Sequence, residues 1–407
     1  MSGMEGLKMN GKIKVIDAVM GAGKTTKAFE IIEKANRNEK FIYITPFLDE
    51  IKRVKNSVKT RQFVEPTNNI AGGRKLDSLK RHIEDGLNIA ATHSLFEMAD
   101  DELIEMIESS DYTLILDEVM DVIDKATVSP SDMRILLEKK FIEIIDNKVN
   151  WIAPAVEYEY GRFDDIKMLA EAGNLYYHRN KFLIWAFPPR VFASFNQVYV
   201  LTYLFKAQIQ RYYFDLYKIP YEVLSVKDGE IVPYDKTADN RQELRALIDL
   251  YEGTHNDHGE TQFSFSKGWM TRRSSEEMES IQRSIYTYVR RVAGAKSNEV
   301  LWTTLKDFQN DLKGRGYSKG FIPVNMRATN DYADRSVLIY AYSRFMNPIE
   351  KSFFQDNGIQ VNEDLLALSD MLQWIWRSRI RNGEPIKLYL PSSRMRGLLK
   401  RWANYEI

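Results

Sequence analysis

Short apolar runs that end in polar side chains recur through the first half of the chain. Each run is rich in β-branched or aromatic residues and is closed by a turn-forming or charged residue, which is the pattern of a buried strand. These strand candidates are residues 12–17, 41–45, 87–92, 112–117 and 197–202. The stretches between them, such as 49–60 and 76–85, are charged and compatible with helices. Strands that alternate with helices predict a parallel α/β sheet, and ligands of such sheets lie at the carboxyl ends of the strands.

The same alternation resumes near residue 296, after a stretch whose pattern is harder to interpret. A long helix is predicted over residues 365–381. The strand candidates of this part are residues 299–304, 321–325, 337–342 and 386–390. Because 407 residues exceed what one hydrophobic core usually serves, two domains are expected. The pattern therefore predicts a first α/β domain over 1–205, a connecting segment of mixed character over 206–295 and a second α/β domain over 296–407.

Residues 18–25 read AVMGAGKT and lead into a predicted helix over 25–34. They match the phosphate-binding loop Gly-x-x-x-x-Gly-Lys-[Ser/Thr], with alanine at the first glycine position. In such loops small residues let backbone N–H groups turn towards the β-phosphate, the lysine reaches the β- and γ-phosphate oxygens and the hydroxyl coordinates Mg²⁺. The sequence therefore predicts a site for ATP and Mg²⁺. Its predicted residues are Gly21, Ala22, Gly23, Lys24, Thr25 and Thr26.

The strand candidate at 112–117 supplies the acidic partner that a phosphate-binding loop requires. It ends in Asp117, and Glu118 follows directly. We expect Asp117 to hold Mg²⁺ together with Thr25, and Glu118 to polarise the water that attacks the γ-phosphate. A strand end with two carboxylates is common by itself, but together with the upstream loop it favours ATP hydrolysis over ATP binding alone.

A further set of polar residues lies in the segment QWIWRSRIR, residues 373–381. Gln373, Arg377 and Arg381 recur at every fourth position, so on a continuous helix they would share one face. A glutamine and two arginines that converge suit a γ-phosphate, where guanidinium groups stabilise charge in the transition state. The alternative is a solvated basic helix face. Next to a phosphate-loop ATPase unit, we favour arginine fingers.

Composition and charge exclude several classes of protein. The chain carries 57 basic and 57 acidic residues, so no global field draws it to nucleic acid or membrane, and any polyanion site must be a local patch. It contains no cysteine, which removes disulfides and thiolate metal sites. No uninterrupted apolar run of about 18 residues occurs, so we expect no membrane partner and a cytoplasmic location.

In order and spacing, the motifs resemble those of superfamily 2 helicases, specifically the small DEAD-like helicases that bacteriophages encode. The motifs are VMGAGKTT, YITP, ATHSLF, LILDEVM, VLTYLF, WTTLKDF, RATNDYADR and QWIWRSRIR, and they extend across nearly the whole chain. The resemblance implies two RecA-like domains that close on ATP, with nucleic acid across their tops. It also implies that Lys24, Thr25, Asp117 and Glu118 are the ATPase residues of the first domain.

The resemblance assigns roles to further residues. It makes Gln373 a sensor and Arg377 and Arg381 the fingers of the second domain, and it makes Thr202 part of the motif that couples ATP to nucleic acid. The residues that it places near the nucleic-acid backbone are Thr45, Pro46, His93 and Thr329.

The chain also departs from the best-known branches of that superfamily. Its acidic motif is Asp-Glu-Val-Met rather than Asp-Glu-Ala-Asp or Asp-Glu-x-His, so neither their preference for RNA nor that for DNA transfers. The segment Leu201-Thr202-Tyr203 replaces the usual Ser-Ala-Thr type of motif. The spacing of the arginines also differs, so either Arg379 or Arg381 is the second finger.

The resulting hypothesis is a DNA helicase or translocase that acts in phage DNA replication or recombination, in the host cytoplasm. Its expected partners are nucleic acid, with single-stranded or forked DNA favoured over RNA, and other replication proteins. One alternative is a terminase-type DNA-packaging ATPase, which would need clustered carboxylates for a nuclease domain. Another is a P-loop kinase or a nucleotide-binding regulatory protein, which would leave the second α/β domain unexplained.

Overall fold

A computed structural model describes residue 9 and residues 11–68, 75–126, 128–325 and 331–407. The chain divides into two compact units. The first unit comprises the chain up to Asp17, Lys24–Leu224 and Asn347–Val361. The second unit comprises Ala18–Gly23, Ser225–Met346 and Asn362–Ile407. Two short segments belong to a different unit from the residues on either side of them in sequence. These are Ala18–Gly23, in the second unit, and Asn347–Val361, in the first unit.

The described residues form the following strands and α-helices. The strands are β1 (Ile13–Asp17), β2 (Lys40–Thr45), β3 (Phe63–Val64), β4 (Asn88–Thr92), β5 (Tyr112–Asp117), β6 (Ile123–Ala126), β7 (Ile142–Ile145), β8 (Lys148–Trp151), β9 (Leu175–His178), β10 (Phe182–Ala186), β11 (Gln197–Thr202), β12 (Tyr221–Lys227), β13 (Glu230–Pro233), β14 (Ile248–Leu250), β15 (Val300–Thr303), β16 (Val337–Tyr340) and β17 (Ile386–Tyr389). The helices are α1 (Lys24–Lys34), α2 (Leu48–Ser57), α3 (Lys75–Glu84), α4 (His93–Phe96), α5 (Asp101–Glu108), α6 (Pro130–Glu138), α7 (Asp164–Glu171), α8 (Pro189–Ala193), α9 (Ile209–Leu216), α10 (Arg241–Ala246), α11 (Lys267–Thr271), α12 (Ser275–Thr287), α13 (Gln309–Leu312), α14 (Pro348–Asp356), α15 (Glu363–Ile375) and α16 (Ser393–Ala403).

The largest sheet has the strand order β13-β12-β1-β11-β5-β2-β4-β3, and its pairs from β12 to β3 are parallel. Every residue of β5 is buried, as expected for a parallel strand that is covered on both faces. In the register, Asp17 pairs with Thr202, and Asp117 pairs with Leu201. The carboxyl ends of β1, β11 and β5 therefore lie side by side.

A second, antiparallel sheet lies between β5 and β11 in the chain, in the first unit. This middle sheet has the strand order β6-β10-β9-β8-β7. One face packs on α6 and α7 around a core that includes Leu136, Ile166 and Leu183. On the opposite face, Phe353 of α14 contacts the rings of Tyr176 and His178. The sequence pattern predicts no element in this stretch.

The sheet of the second unit has four parallel strands in the order β14-β17-β16-β15. All four residues of β15 and of β16 are buried. Its core joins Trp302 and Ile339 of the sheet to Ile281 and Ile285 of α12. The Trp374 ring of α15 packs edge-on against Tyr340, with the ring centroids 5.4 Å apart.

The predicted fold class is confirmed, because parallel sheets flanked by helices form the main layers of the chain. Two predicted elements are wrong. The helix predicted over 365–381 ends at Ile375 and is followed by a separate 3₁₀ turn, Arg379–Asn382. The strand predicted over 321–325 is reduced to one bridge between Phe321 and Trp302. No helix in the described ranges is long and apolar enough to cross a lipid bilayer.

Candidate active site

The glycine loop joins β1 to α1 and has the backbone of a phosphate cradle. Gly21 and Gly23 both have φ of +87°, a left-handed conformation that residues with a Cβ rarely adopt. Lys24 is the first residue of α1 and is buried, whereas Thr25 in the same turn is half-buried. The left-handed glycines, the lysine and the amino end of a helix fit the phosphates of a nucleotide. Ala22 is half-buried and Thr26 is exposed.

Asp117 ends β5 with a buried carboxyl group that contacts a tyrosine. Tyr43 Oη donates a 2.8 Å hydrogen bond to Asp117 Oδ2. Burial and the neighbouring Glu118 charge raise the pKa of Asp117 to about 7, although the Tyr43 hydrogen bond and the Lys24 charge oppose the rise. A carboxylate that is costly to ionise in the free protein gains most from a nearby cation. The Asp117 site therefore fits a Mg²⁺ ligand.

Glu118 follows Asp117 in a strained backbone conformation. Its φ is +63°, unusual for a residue other than glycine, and its N–H donates a 2.9 Å hydrogen bond to the carbonyl of Leu201 in β11. Burial raises the pKa of Glu118, whereas the Lys24 charge and the Thr202 hydroxyl lower it. Strain of this kind is concentrated at functional sites. The strained backbone therefore holds the Glu118 carboxyl beside Thr202 and within the field of Lys24.

His93 contacts the backbone of Asp117. Its Nε2 is 3.1 Å from the backbone carbonyl oxygen of Asp117. Because a carbonyl only accepts hydrogen bonds, Nε2 carries the proton and donates. Burial lowers the pKa of His93 to about 4, so the imidazole is neutral at neutral pH. In this conformation His93 fixes the backbone at the end of β5.

Asp17, at the end of β1, fixes the turn that follows β11. Its carboxylate accepts hydrogen bonds from the N–H groups of Leu204, at 2.8 Å, and of Phe205, at 2.9 Å. Leu204 has φ of +53°, so a second residue next to the site is also in the left-handed region. The two hydrogen bonds stabilise this turn, which begins directly after Thr202 and Tyr203.

The remaining residues predicted at strand ends differ in exposure. Thr45 is fully buried at the end of β2, opposite Thr92 of β4, and its Oγ1 accepts a hydrogen bond from the Phe47 N–H at 3.4 Å. Pro46 is half-buried and Thr202 is fully buried. Thr329 lies outside the described residues. Nucleic-acid contact by these residues stays a prediction.

In the second unit, the predicted sensor and finger residues do not share one helix. Gln373 is half-buried within α15, whereas Arg377 lies two residues beyond its end and Arg381 is exposed in the 3₁₀ turn. The expected shared face is therefore wrong, because α15 stops at Ile375. Arg377 Nη1 donates a 3.0 Å hydrogen bond to the carbonyl of Val324, and burial lowers the Arg377 pKa to about 10.

Three residues of this region are missing from the sequence-based set. Tyr43 and Asp17 contact the strand ends, and Asp239 accepts a 3.2 Å hydrogen bond from the N–H of Val19 in the glycine loop. The sequence did contain a pattern that could have identified Asp17, because a carboxylate ends this strand candidate directly before the glycine loop. Tyr43 lies two positions before Thr45 and so points to the same side of β2. Asp239 is distant in sequence, and no local pattern indicates its contact.

Sequence comparison gives one extensive likeness. Over 404 residues the chain is 42% identical to the SPbeta prophage-derived protein YonV of Bacillus subtilis (strain 168), and the match covers 96% of this chain and 98% of that protein. The family model of the YonV C-terminal Rossmann-like domain matches residues 242–403. The model of the YonV middle domain matches residues 123–185, which contain all of the middle sheet except Ala186.

Solved structures are similar at low identity. The structure of S. tokodaii Xpd4 aligns with a TM-score of 0.41 and 11% identity, over 98% of this chain and 94% of its own. The crystal structure of the DUF1998 helicase MrfA bound to DNA aligns with a TM-score of 0.32 and 10% identity, over 97% of this chain and 46% of its own. At these TM-scores the likenesses carry no argument about the function of this chain.

Proposed function

This chain belongs to the family of the prophage protein YonV, and we propose that it is an ATP-hydrolysing motor that acts on nucleic acid. The finer proposal is a superfamily 2 DNA helicase or translocase that acts in phage DNA replication or recombination. Because the relative derives from a prophage, the setting would be a host cytoplasm in which phage DNA is copied. Single-stranded or forked DNA is the proposed substrate, with other replication proteins as further partners.

The observation that carries the proposal is the grouping of Lys24 with Asp117 and Glu118. The Lys24 charge lowers the pKa of both carboxyl groups, so Lys24 is close enough to interact electrostatically with Asp117 and with Glu118. Burial opposes ionisation of both acids, and one lysine neutralises only one carboxylate. The group therefore favours a ligand that brings both a divalent cation and phosphate oxygens, as Mg²⁺–ATP does.

The nucleotide would be held by the loop and by the first turn of α1. Gly21, Ala22 and Gly23 would offer backbone N–H groups to the phosphates, and Lys24 would bind the β- and γ-phosphate oxygens. Thr25 and Asp117 would hold Mg²⁺, which supplies positive charge to the phosphate oxygens when it is bound.

Glu118 is the proposed general base of hydrolysis. Burial raises its pKa, which makes the carboxylate a stronger proton acceptor, while the Lys24 charge opposes the rise. We propose that Glu118 takes the proton of the attacking water. Arg377 is the proposed finger for the γ-phosphate because its guanidinium is partly desolvated, which lowers its pKa to about 10. Gln373 would act as sensor, with Arg379 or Arg381 as second finger.

The motor proposal is tested by displacement of streptavidin from biotinylated single strands. We expect ATP-dependent displacement from one end of a DNA strand, and none with the variant Glu118→Gln. Displacement in neither direction, on DNA and on RNA, would overturn the motor proposal. A nuclease assay with Mn²⁺ separates the motor from a terminase, and phosphoryl transfer to an acceptor other than water separates it from a kinase.

A further inference from the structure

An open groove lies on the middle sheet, between α6 and the turn that joins β9 to β10. Its cavity volume is about 580 Å³, within the range of small-molecule sites. The residues that line it include Lys125, Met133, Arg134, Tyr177, Lys181 and Phe182. We call it the α6–β10 groove. The groove belongs to the middle sheet alone, and none of the proposed ATPase residues lines it.

The groove carries an excess of positive charge. Lys125, Arg134 and Lys181 line it, and Glu138 is the one carboxylate among the lining residues. Within the described part of the chain, none of these three cations forms an ion pair. By contrast, Arg162 and Arg179 of the same sheet region pair with Asp132 and Asp356. Three cations that pair with no carboxylate of the described residues would attract an anionic ligand.

The groove also offers aromatic rings beside these cations. Lys125 Nζ and Lys181 Nζ each lie 5.5 Å from the centroid of the Phe182 ring. Phe182 and Tyr177 are half-buried, so part of each ring is accessible, and the buried Met133 side chain contributes an apolar floor. Leu137 is 39% exposed at the same groove. A ligand for this groove therefore needs flat apolar surface as well as negative charge.

We propose that the α6–β10 groove binds single-stranded nucleic acid, with a base on Phe182 or Tyr177 and backbone phosphates at Lys125, Arg134 and Lys181. Stacking on aromatic rings beside a cationic track is how proteins bind single strands without reading sequence. An acidic peptide would satisfy the cations but would leave the rings and the apolar floor uncovered. The inference deepens the proposed function, on which it rests for the nature of the polymer, and assigns the middle sheet to strand binding.

Fluorescence anisotropy with labelled oligothymidylate and oligouridylate tests the groove, with the full chain and no nucleotide present. For Phe182→Leu we expect affinity to fall about tenfold, because leucine offers no aromatic ring on which a base can stack. For Lys125→Gln/Lys181→Gln we expect the slope of log affinity against log salt to flatten by about 0.7 for each phosphate that the variant no longer binds. The matched control is Lys139→Gln/Lys140→Gln, two exposed lysines of the same region that do not line the groove, and it should behave as wild type.

Photocrosslinking with iodouridine-substituted strands, followed by peptide mapping, keeps the test independent of variant folding. Crosslinks at Tyr177 or Phe182 would support the proposal, and the DNA and RNA arms would show which polymer is preferred. Unchanged affinity in both groove variants, or crosslinks confined to other regions, would overturn it. So would competition by polyglutamate that equals competition by oligonucleotide. Because polymer-stimulated ATP hydrolysis by the wild type is a separate readout, the groove inference can fail while the motor proposal stands.

Discussion

Tyr43 Oη donates a 2.8 Å hydrogen bond to Asp117 Oδ2, and this contact joins neighbouring strands β2 and β5 at the proposed metal ligand. Both residues are buried, and the hydrogen bond lowers the pKa of a carboxyl group that burial otherwise raises. Tyr43 therefore acts on the site through Asp117. It orients the carboxylate and favours its ionised form, which is the form that binds a cation.

The first prediction concerns Tyr43→Phe. The substitution keeps the ring, which packs 6.1 Å from Phe29 between centroids, and removes only the hydroxyl. Without the hydrogen bond the Asp117 pKa rises further, so we expect affinity for Mg²⁺ to fall by about tenfold. ATP hydrolysis measured against Mg²⁺ concentration should show a higher half-saturation point and a nearly unchanged maximum. A lower maximum at an unchanged half-saturation point would contradict this role.

The second prediction concerns pH and Asp117. Its pKa of about 7 lies above the usual carboxyl range, so the folded chain holds a proton that the unfolded chain releases. The resulting stability is fully present near pH 4 and is lost as the pH rises through about 7. At higher pH, Asp117→Asn should therefore stabilise the free protein by up to about 4 kcal/mol relative to wild type.

Melting temperatures of wild type and Asp117→Asn, measured between about pH 4 and pH 8, test whether the variant becomes the more stable protein as the pH rises. The difference between the two proteins should grow from about pH 4 to about pH 7 and then level off. Asp85→Asn, at an exposed carboxylate of the turn after α3, is the matched control and should show no such trend. A difference between wild type and Asp117→Asn that is independent of pH would show that the Asp117 carboxyl is not protonated in the folded state.

The third prediction concerns Asp17. In Asp17→Ala the N–H groups of Leu204 and Phe205 lose their acceptor in a buried turn, which should reduce the free energy of unfolding by about 1–3 kcal/mol. Asp17→Asn, which keeps one carbonyl acceptor, should lose less. Urea denaturation measures both. Because the turn follows Thr202 directly, hydrolysis should also slow in Asp17→Ala, and equal stability of both variants and wild type would contradict the role.

The fourth prediction separates the three arginines. Arg377 and Arg379 are half-buried, whereas Arg381 is exposed, and Arg379 Nε donates a hydrogen bond to the carbonyl of Pro385. We expect Arg377→Ala to lower the maximal rate of hydrolysis by about 1,000-fold or more, as the loss of an arginine finger does. ATP affinity, measured with a fluorescent analogue, should change little. Arg381→Ala and Arg379→Ala then show which is the second finger, and full activity in Arg377→Ala would exclude it from hydrolysis.

Local sequence pattern predicted the phosphate loop and most strands of the parallel sheets, but it missed β3, β12 and β14. Every residue of β5 and four of the six residues of β11 are buried, so both strands are largely apolar, and their ends are marked by Asp117 and Thr202. The middle sheet escaped prediction because its strands are only four or five residues long and bear no motif. Contacts such as Tyr43 with Asp117, 74 residues apart, depend on sheet order, which periodicity does not encode.

At the end of α15, helical spacing in the sequence predicted a helix that is longer than the one observed. Gln373, Arg377 and Arg381 have helical spacing, yet the helix ends at Ile375. Ser378 donates its hydroxyl to the carbonyl of Ile375, and the buried Trp374 and Trp376 rings anchor the chain on either side of that residue. Tertiary packing therefore overrides the helical period, and residues with equal spacing do not share one face.

The central claim is that Lys24, Asp117 and Glu118 form an ATPase site that nucleic acid activates. Steady-state ATP hydrolysis by wild type and Glu118→Gln, alone and with single-stranded DNA, duplex DNA or single-stranded RNA, tests it most directly. We expect one polymer to stimulate the wild type strongly, and Glu118→Gln to lose about 100-fold to 10,000-fold in rate while still binding a fluorescent ATP analogue. Hydrolysis that responds to no polymer, or that persists in Glu118→Gln, would contradict the account.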